Sequence, residues 1–136
     1  MNNELNYIDL ETIDNEKISE ILKSFSIDVF IDTDGDVTTN GKNEIYVKAD
    51  KDLGALRFFS YIRNIPSSES LDKLLSVFNG GSSTVKYQQM TNSIMIEYGF
   101  LLSGVINYKL LISTYTHFVA EVAIFKEAIH EEIKVE

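Results

Sequence analysis

Leu53-Gly54-Ala55-Leu56-Arg57-Phe58-Phe59-Ser60-Tyr61-Ile62-Arg63 is the stretch on which the fold turns. Two sets interleave along it: Leu56, Phe58 and Ile62 alternate with Ala55, Phe59 and Tyr61. Successive side chains of an extended strand point to opposite faces. A strand apolar on both faces is expected to be covered on both, as a central strand is. Pro66, the only proline, lies just beyond it and cannot donate to a ladder.

Working toward the N-terminus, Ile45-Tyr46-Val47-Lys48 predicts a strand, reached through turns at Asn40-Gly41-Lys42-Asn43 and, on its far side, Ala49-Asp50-Lys51-Asp52. Val37–Thr39 predicts another. Ile27, Val29 and Ile31 alternate with Asp28, Phe30 and Asp32, and that run stops at Thr33-Asp34-Gly35-Asp36, where Gly35 can take a positive φ. Ahead of it Ile18, Ile21, Leu22 and Phe25 recur at i, i+3, i+4, i+7, with Thr12 or Asp14 as cap, which predicts a helix over about 14–25. Residues 1–11 have no sustained period, though Leu5, Tyr7, Ile8 and Leu10 suit an extended arm along the body.

Toward the C-terminus, Leu71, Leu74, Leu75 and Phe78 repeat the helical spacing, predicting a helix over about 68–78, capped by Ser67 or Ser68 and ended by Asn79-Gly80-Gly81. Thr84–Met90 and Ser93–Phe100 predict a hairpin turning at Thr91-Asn92. Ser103-Gly104 is expected to open the last element. Tyr108, Leu111, Tyr115, Phe118, Val122, Phe125 and Ile129 then follow at alternating spacings of three and four, a helical seam, although the β-branched and aromatic content leaves a strand open over part of it. A helix over 104–129 would be ~39 Å long against a domain width of ~30 Å, so one end is expected to overhang or meet a partner.

The resulting fold class is α+β: a mainly antiparallel twisted sheet of about five or six strands flanked by three helices, in one domain spanning 1–136 with 1–11 and 131–136 loose. Composition agrees, with 44% hydrophobic and 24% charged residues. There is no cysteine, which removes disulfides and thiolate chemistry. The N-terminus lacks a signal-peptide pattern and no run reaches the ~18 apolar residues of a membrane span, so a cytoplasmic, unlipidated protein is expected. The net charge is −9, and residues 1–52 hold thirteen acids against five Lys. Such a surface repels phosphate backbones and anionic membranes, so neither nucleic acid nor membrane is expected as a partner.

No catalytic, metal or cofactor site is expected. Asp28, Asp32, Asp34 and Asp36 suggest calcium, but an EF-hand loop starting at Asp32 would need glycine and glutamate where Val37 and Asn43 stand. They are expected instead as an exposed acidic turn. His117 and His130 are too far apart on one helix, ~20 Å, to share a zinc ion. Gly80-Gly81-Ser82-Ser83 closes a helix and lacks the P-loop lysine. Phe58, Phe59 and Tyr61 have only Arg57 and Arg63 near them, too few cations for a base-stacking platform, so core packing is the expected role of all three.

The order of Ile27-Asp28-Val29-Phe30-Ile31-Asp32, Asp34-Gly35-Asp36, Leu56-Arg57-Phe58-Phe59, the helix Leu71–Phe78 ending in Asn79, and a last long helix after Ser-Gly resembles the YbjN family. The resemblance covers about 14–130 and departs at Asn79–Ser83, where such proteins more often continue with a second Asn and a basic residue. It implies a fold similar to type III secretion chaperones, frequent pairing into a homodimer, and no cofactor. Family members are labelled sensory transduction regulators, and the related chaperones are small acidic dimers that hold extended client segments in hydrophobic grooves.

The function expected from all this is a non-enzymatic, chaperone-like or regulatory protein-binding module, a homodimer that engages a protein segment through sheet edges or grooves. Leu111, Tyr115, Phe118 and Val122 are the candidate dimer or groove surface. The intramolecular alternative, that they cover their own sheet, is weighed at about two to one in its favour. A second reading is a ligand- or signal-sensing pocket under the long helix lined by Tyr98, Tyr108 and Tyr115. A third is an antitoxin-like inhibitor whose acidic Asp28–Asp36 front neutralises a basic partner.

Overall fold

The computed structural model describes residues 6–41, 43–81 and 84–133. Leu5 of the expected arm, Lys42 of a turn, Ser82 and Ser83 of the glycine-serine connector, and residues 134–136 of the tail lie outside the described residues. The elements run β1 (Tyr7–Asp9), α1 (Asn15–Ser24), β2 (Val29–Ile31), β3 (Val37–Thr39), β4 (Ile45–Asp50), β5 (Ala55–Arg63), α2 (Glu69–Gly81), β6 (Lys86–Met90), β7 (Ser93–Leu101), β8 (Val105–Asn107) and α3 (Tyr108–Ile133). Six strands form an antiparallel sheet in the order β2-β3-β4-β5-β7-β6, and β1 pairs with β8 as a separate ribbon. The α+β class, the three helices and the antiparallel sheet are those expected.

Local chemistry sets most boundaries. Asp14 caps α1 by accepting from the Lys17 N–H at 2.8 Å, and the Ser68 hydroxyl accepts from the Leu71 N–H at 3.0 Å at the start of α2. Gly35, at φ +86°, makes the β2–β3 turn.

Four boundaries differ from expectation. Gly104, at φ +84°, does not open α3; it turns the chain into β8, and its carbonyl accepts from the Leu10 N–H at 2.9 Å. Asn107 then caps α3, accepting from the Leu110 N–H at 2.8 Å. The arm is docked over Tyr7–Leu10, with Ile8 and Leu10 buried and Ile8 opposite Ile106. Finally, α2 does not stop at Phe78. Neither Gly80 nor Gly81 takes a positive φ, and Asn79 stays helical because its side chain has another task, described below. Residues 131–133, expected loose, are still helical.

All three helices lie on one side of the sheet. Ile18 and Leu22 of α1, Leu71 and Leu75 of α2, and Leu111, Phe118, Val122 and Phe125 of α3 share a single core with Val37, Val47, Leu56, Phe58, Ile94 and Ile96. Register explains which sheet residues take part: Val47 faces Phe58, Phe58 faces Tyr98 and Ser60 faces Ile96, all on one pleat face. Phe58 meets Phe118, Tyr98 and Phe100 with ring centroids 6.1–6.2 Å apart. The opposite face, bearing Phe59 and Tyr61, has no part in this core. The expectation that β5 is covered by other elements on both sides is therefore corrected. It is central, but helices cover one face only.

Candidate functional site

Leu111, Tyr115, Phe118 and Val122 lie on the inward stripe of α3, at 0%, 6%, 1% and 0% exposure. As the candidate dimer or groove surface they are corrected by their position: in the single chain they already cover β5 and its neighbours. Burial pushes the Tyr115 hydroxyl up to about 12. The seam stays buried to Ile129, with Phe125 packed on Phe78 of α2 at 4.9 Å and on Tyr87 of β6 at 4.7 Å. The helix thus lies over its own protein along most of its length, and the expected overhang is not needed to explain its apolar stripe. Among the described residues its exposed large apolar side chains are Leu110 and Ile124.

The acidic hairpin is held by its own side chains. One oxygen of Asp32 accepts from the N–H groups of Asp34 and Asp36, both at 3.0 Å, while Asp28 accepts from Asn40 Nδ2 at 3.1 Å. Burial raises the Asp36 carboxyl, opposed by Lys48 and reinforced by Asp32 and Asp34. Asn15 ties the turn to the body, donating to the Gly35 carbonyl at 2.7 Å and accepting from the Ala49 N–H at 2.9 Å. Asp28 faces the other end of the hairpin, so the four carboxylates do not converge. Among the described residues no group of three or more His, Asp or Glu could hold a metal ion.

The bare face of the sheet carries what the sequence reading missed. One row crosses all six strands: Phe30, Thr38, Tyr46, Phe59, Glu97 and Lys86. At its middle Tyr46 stacks on Phe59 with centroids 5.0 Å apart and rings 11° from parallel, and Tyr61 meets both edge-on. Arg57 lies 4.9 Å over the Phe59 ring and Arg63 4.8 Å over Tyr61. Both guanidinium groups are paired. Arg57 reaches Glu97 at 2.7 Å and Asp50 at 3.3 Å, and Arg63 grips Glu44 through two bonds of 2.9 and 2.6 Å. The bond from Arg63 is the main cause that lowers the Glu44 carboxyl, and the Leu53 N–H is the main cause that lowers Asp50. Tyr46, half-buried and hydrogen-bonded to Glu44, is pushed up to about 12.

Gly99 stands opposite Arg57 in the next strand. A Cβ there would lie 3.3 Å from the Leu56 carbonyl oxygen and 3.7 Å from Arg57 Cγ, so glycine leaves the arginine stem room to cross the sheet. A glycine within an otherwise regular strand was the available signal. Phe59 and Tyr61, expected in the core with Phe58, are thereby relocated to this face.

The sheet edges are both defended. Asn79 sets its amide against β6, donating to the Tyr87 carbonyl and accepting from the Tyr87 N–H, each at 2.8 Å. It fills the place of a neighbouring strand at that residue. The other edge, β2, is three residues long between Asp28 and Asp32.

Three further concavities adjoin α3. One, about 410 Å³, is lined by Tyr98, Ser113, Thr114, His117 and Phe118 among others. Tyr108 belongs to a different cavity of about 280 Å³ with Tyr7 and Phe25, and Tyr115 lines neither. The three tyrosines expected around one pocket are not brought together. The third is an open trough of about 550 Å³ between the β1–β8 ribbon and the start of α3. Tyr7, Val105 and Leu110 border it, at 53%, 63% and 47% exposure. Among the described residues no helix is long and apolar enough to cross a membrane.

No family model matches this sequence, and no curated protein matches it. Its three-dimensional arrangement does have a counterpart among solved structures. The crystal structure of YbjN from E. coli, "a putative transcription regulator", superposes with a TM-score of 0.71 at 12% sequence identity, over 85% of this chain and 90% of that one. The chain therefore has a YbjN-like fold.

Proposed function

We propose that this chain is a non-enzymatic protein-binding module of regulatory or chaperone-like type, which pairs as a homodimer and engages an extended segment of a partner protein. The observation that carries the reading is the trough beside α3. Tyr7, Val105 and Leu110 leave large apolar surfaces in water around one concavity, next to the short β1–β8 ribbon, where a partner's side chains would bury them. The defended edges of the main sheet argue against strand addition there and leave the trough as the favoured seat. The YbjN-like fold supports a regulatory or binding role by analogy, since the neighbour's printed description names a regulator.

The test compares the full chain with its Val105→Asp and Leu110→Asp variants as baits, each first shown to be folded by circular dichroism. A partner retained by the native chain and lost with both variants supports the trough. Equal retention by all three places binding elsewhere.

A ligand-sensing role is the second reading, favoured by the 410 Å³ cavity with its Ser113, Thr114 and Tyr98 hydroxyls and His117. A metabolite that raises the melting temperature of the native chain and not of a Thr114→Val variant would support it.

A further inference from the structure

We propose that Asn40 is a self-modifying residue, converted to aspartate and isoaspartate through a cyclic imide closed by the backbone nitrogen of Gly41. Asn79, the other asparagine followed by a glycine, is held unreactive by the fold. The inference is independent of the binding and pairing readings above.

The step balances with water alone. The Gly41 nitrogen gives up its proton and attacks Asn40 Cγ. The N–Cγ bond forms, the Cγ–Nδ2 bond breaks, and the side-chain nitrogen takes a proton and leaves as ammonia. Water then opens the imide at either carbonyl. Attack at Cγ restores the ordinary main chain with an aspartate; attack at the main-chain carbonyl carbon leaves isoaspartate, with the chain running through Cγ. Glycine favours closure because it has no Cβ to crowd the ring and its backbone turns freely.

The surroundings separate the two Asn-Gly pairs. Asn40 and Gly41 are exposed and lie between β3 and β4, outside any helix or strand. The bond seen for the Asn40 carboxamide runs to the exposed Asp28 Oδ1 at 3.1 Å, and a Cβ placed on Gly41 would meet nothing within 4 Å, so space around the attacking nitrogen is open. Asn79 and Gly80 lie inside α2, where helical geometry aims each N–H at the carbonyl four residues back and away from the side chain before it. The Asn79 carboxamide is also clamped at both ends, its Nδ2 on the Tyr87 carbonyl and its Oδ1 on the Tyr87 N–H, each at 2.8 Å.

Conversion acts on the β2 edge. The Asn40–Asp28 bond lies just beyond the Val29–Thr39 pair and closes the open end of the β2–β3 hairpin. An aspartate at 40 sets a second carboxylate against Asp28 in place of a donor, and makes a chain of net charge −9 one unit more negative. Isoaspartate also lengthens the main chain within the turn that the Thr39 hydroxyl spans by donating to the Asn43 carbonyl at 2.9 Å.

The experiment incubates the full native chain at mildly alkaline pH beside the same chain unfolded in urea, then digests both for mass spectrometry. Loss of the amide registers as a mass gain, whereas isomerisation at Asp34-Gly35 changes no mass. In urea both asparagines are expected to convert. In the native chain the Asn40 peptide should convert nearly as fast as in urea, and the Asn79 peptide many-fold more slowly. Gly41→Ala is the blocking variant: Gly41 does not need a left-handed backbone and has room for a methyl group, so the variant should fold as the native chain does while conversion at Asn40 drops many-fold. Asn40→Asp should melt below the native chain at low salt, with the gap narrowing as salt screens the two carboxylates. Protection of Asn40 in the native chain as strong as that of Asn79, or conversion undiminished by Gly41→Ala, overturns the proposal. An Asn40→Asp variant that melts with the native chain at low salt overturns the effect on the hairpin.

Discussion

Phe118→Ala separates a core role for the long helix from an interfacial one. The ring is 1% exposed, sits near the middle of α3 and packs on Phe58 with centroids 6.2 Å apart. Truncating a buried phenylalanine costs ~3–5 kcal/mol, because the transfer energy is lost and the cavity closes only in part. Domains of this size have ~5–15 kcal/mol in total. At about 3–5 °C per kcal/mol, interpolated for this chain length, the melting temperature should fall by roughly 10–25 °C. Ile124 is the control on the same helix; it is 56% exposed, and Ile124→Ala should stay within about 0.5 kcal/mol. Urea unfolding followed by far-UV circular dichroism, at protein concentrations tenfold apart, measures both. The gap between Phe118→Ala and the native chain should be the same at either concentration, since the ring is buried within its own chain. A loss below about 1 kcal/mol, or a gap that closes as concentration rises, would refute this packing and return Phe118 to an intermolecular surface.

Asn79→Ala should destabilise by ~1–3 kcal/mol, because the Tyr87 N–H and carbonyl each lose a partner; it should also raise the tendency to aggregate by opening the β6 edge, which light scattering on heating would register. Burial raises the Tyr46 and Tyr115 hydroxyls to about 12, aided at Tyr46 by the bond to Glu44. Between the ordinary tyrosine value of ~10 and 12 the unfolded chain loses these protons and the folded chain keeps them, so stability should be undiminished below pH ~10 and fall as pH rises toward 12. Phenolate absorbance against pH would show it, and complete ionisation of all seven tyrosines near pH 10 without unfolding would contradict it.

What was legible in the sequence was what periodicity carries. The seven apolar positions from Tyr108 to Ile129 follow one helical stripe, and the alternation in β5 and β7 placed Leu56, Phe58, Ile94 and Ile96 on one face. What was not legible depends on partners distant in the chain. Val105–Asn107 has too few residues to show a period, and it is a strand because Tyr7–Asp9 comes alongside it. Asn79 has the composition of a helix stop, but Tyr87, eight residues on, gives its amide two backbone bonds and the helix continues. The acidic turn was legible as a turn, since Asp32 closes it through contacts two and four residues away. The candidate face of α3 was legible as apolar and misassigned as surface, because a stripe does not say which body it meets.

The second apolar set of β5 is the most instructive case. Phe59 and Tyr61 look like core residues by type, and Phe59 is as buried as one, yet no helix lies over them. Their cover comes from the sheet itself: Tyr46 from one neighbouring strand, and Arg57 and Arg63 folded back over the rings with their charges met by Glu97, Asp50 and Glu44. Such a surface tolerates water, since its polar ends are paired. It also gains from losing water, since rings and arginine stems form most of its centre. A face whose rings are covered in this way can stay in water on a single chain, whereas a fully apolar face would associate or aggregate. An apolar set on both sides of a central strand, with arginines in one of them and a glycine across from an arginine, therefore distinguishes a self-covered surface from a second core.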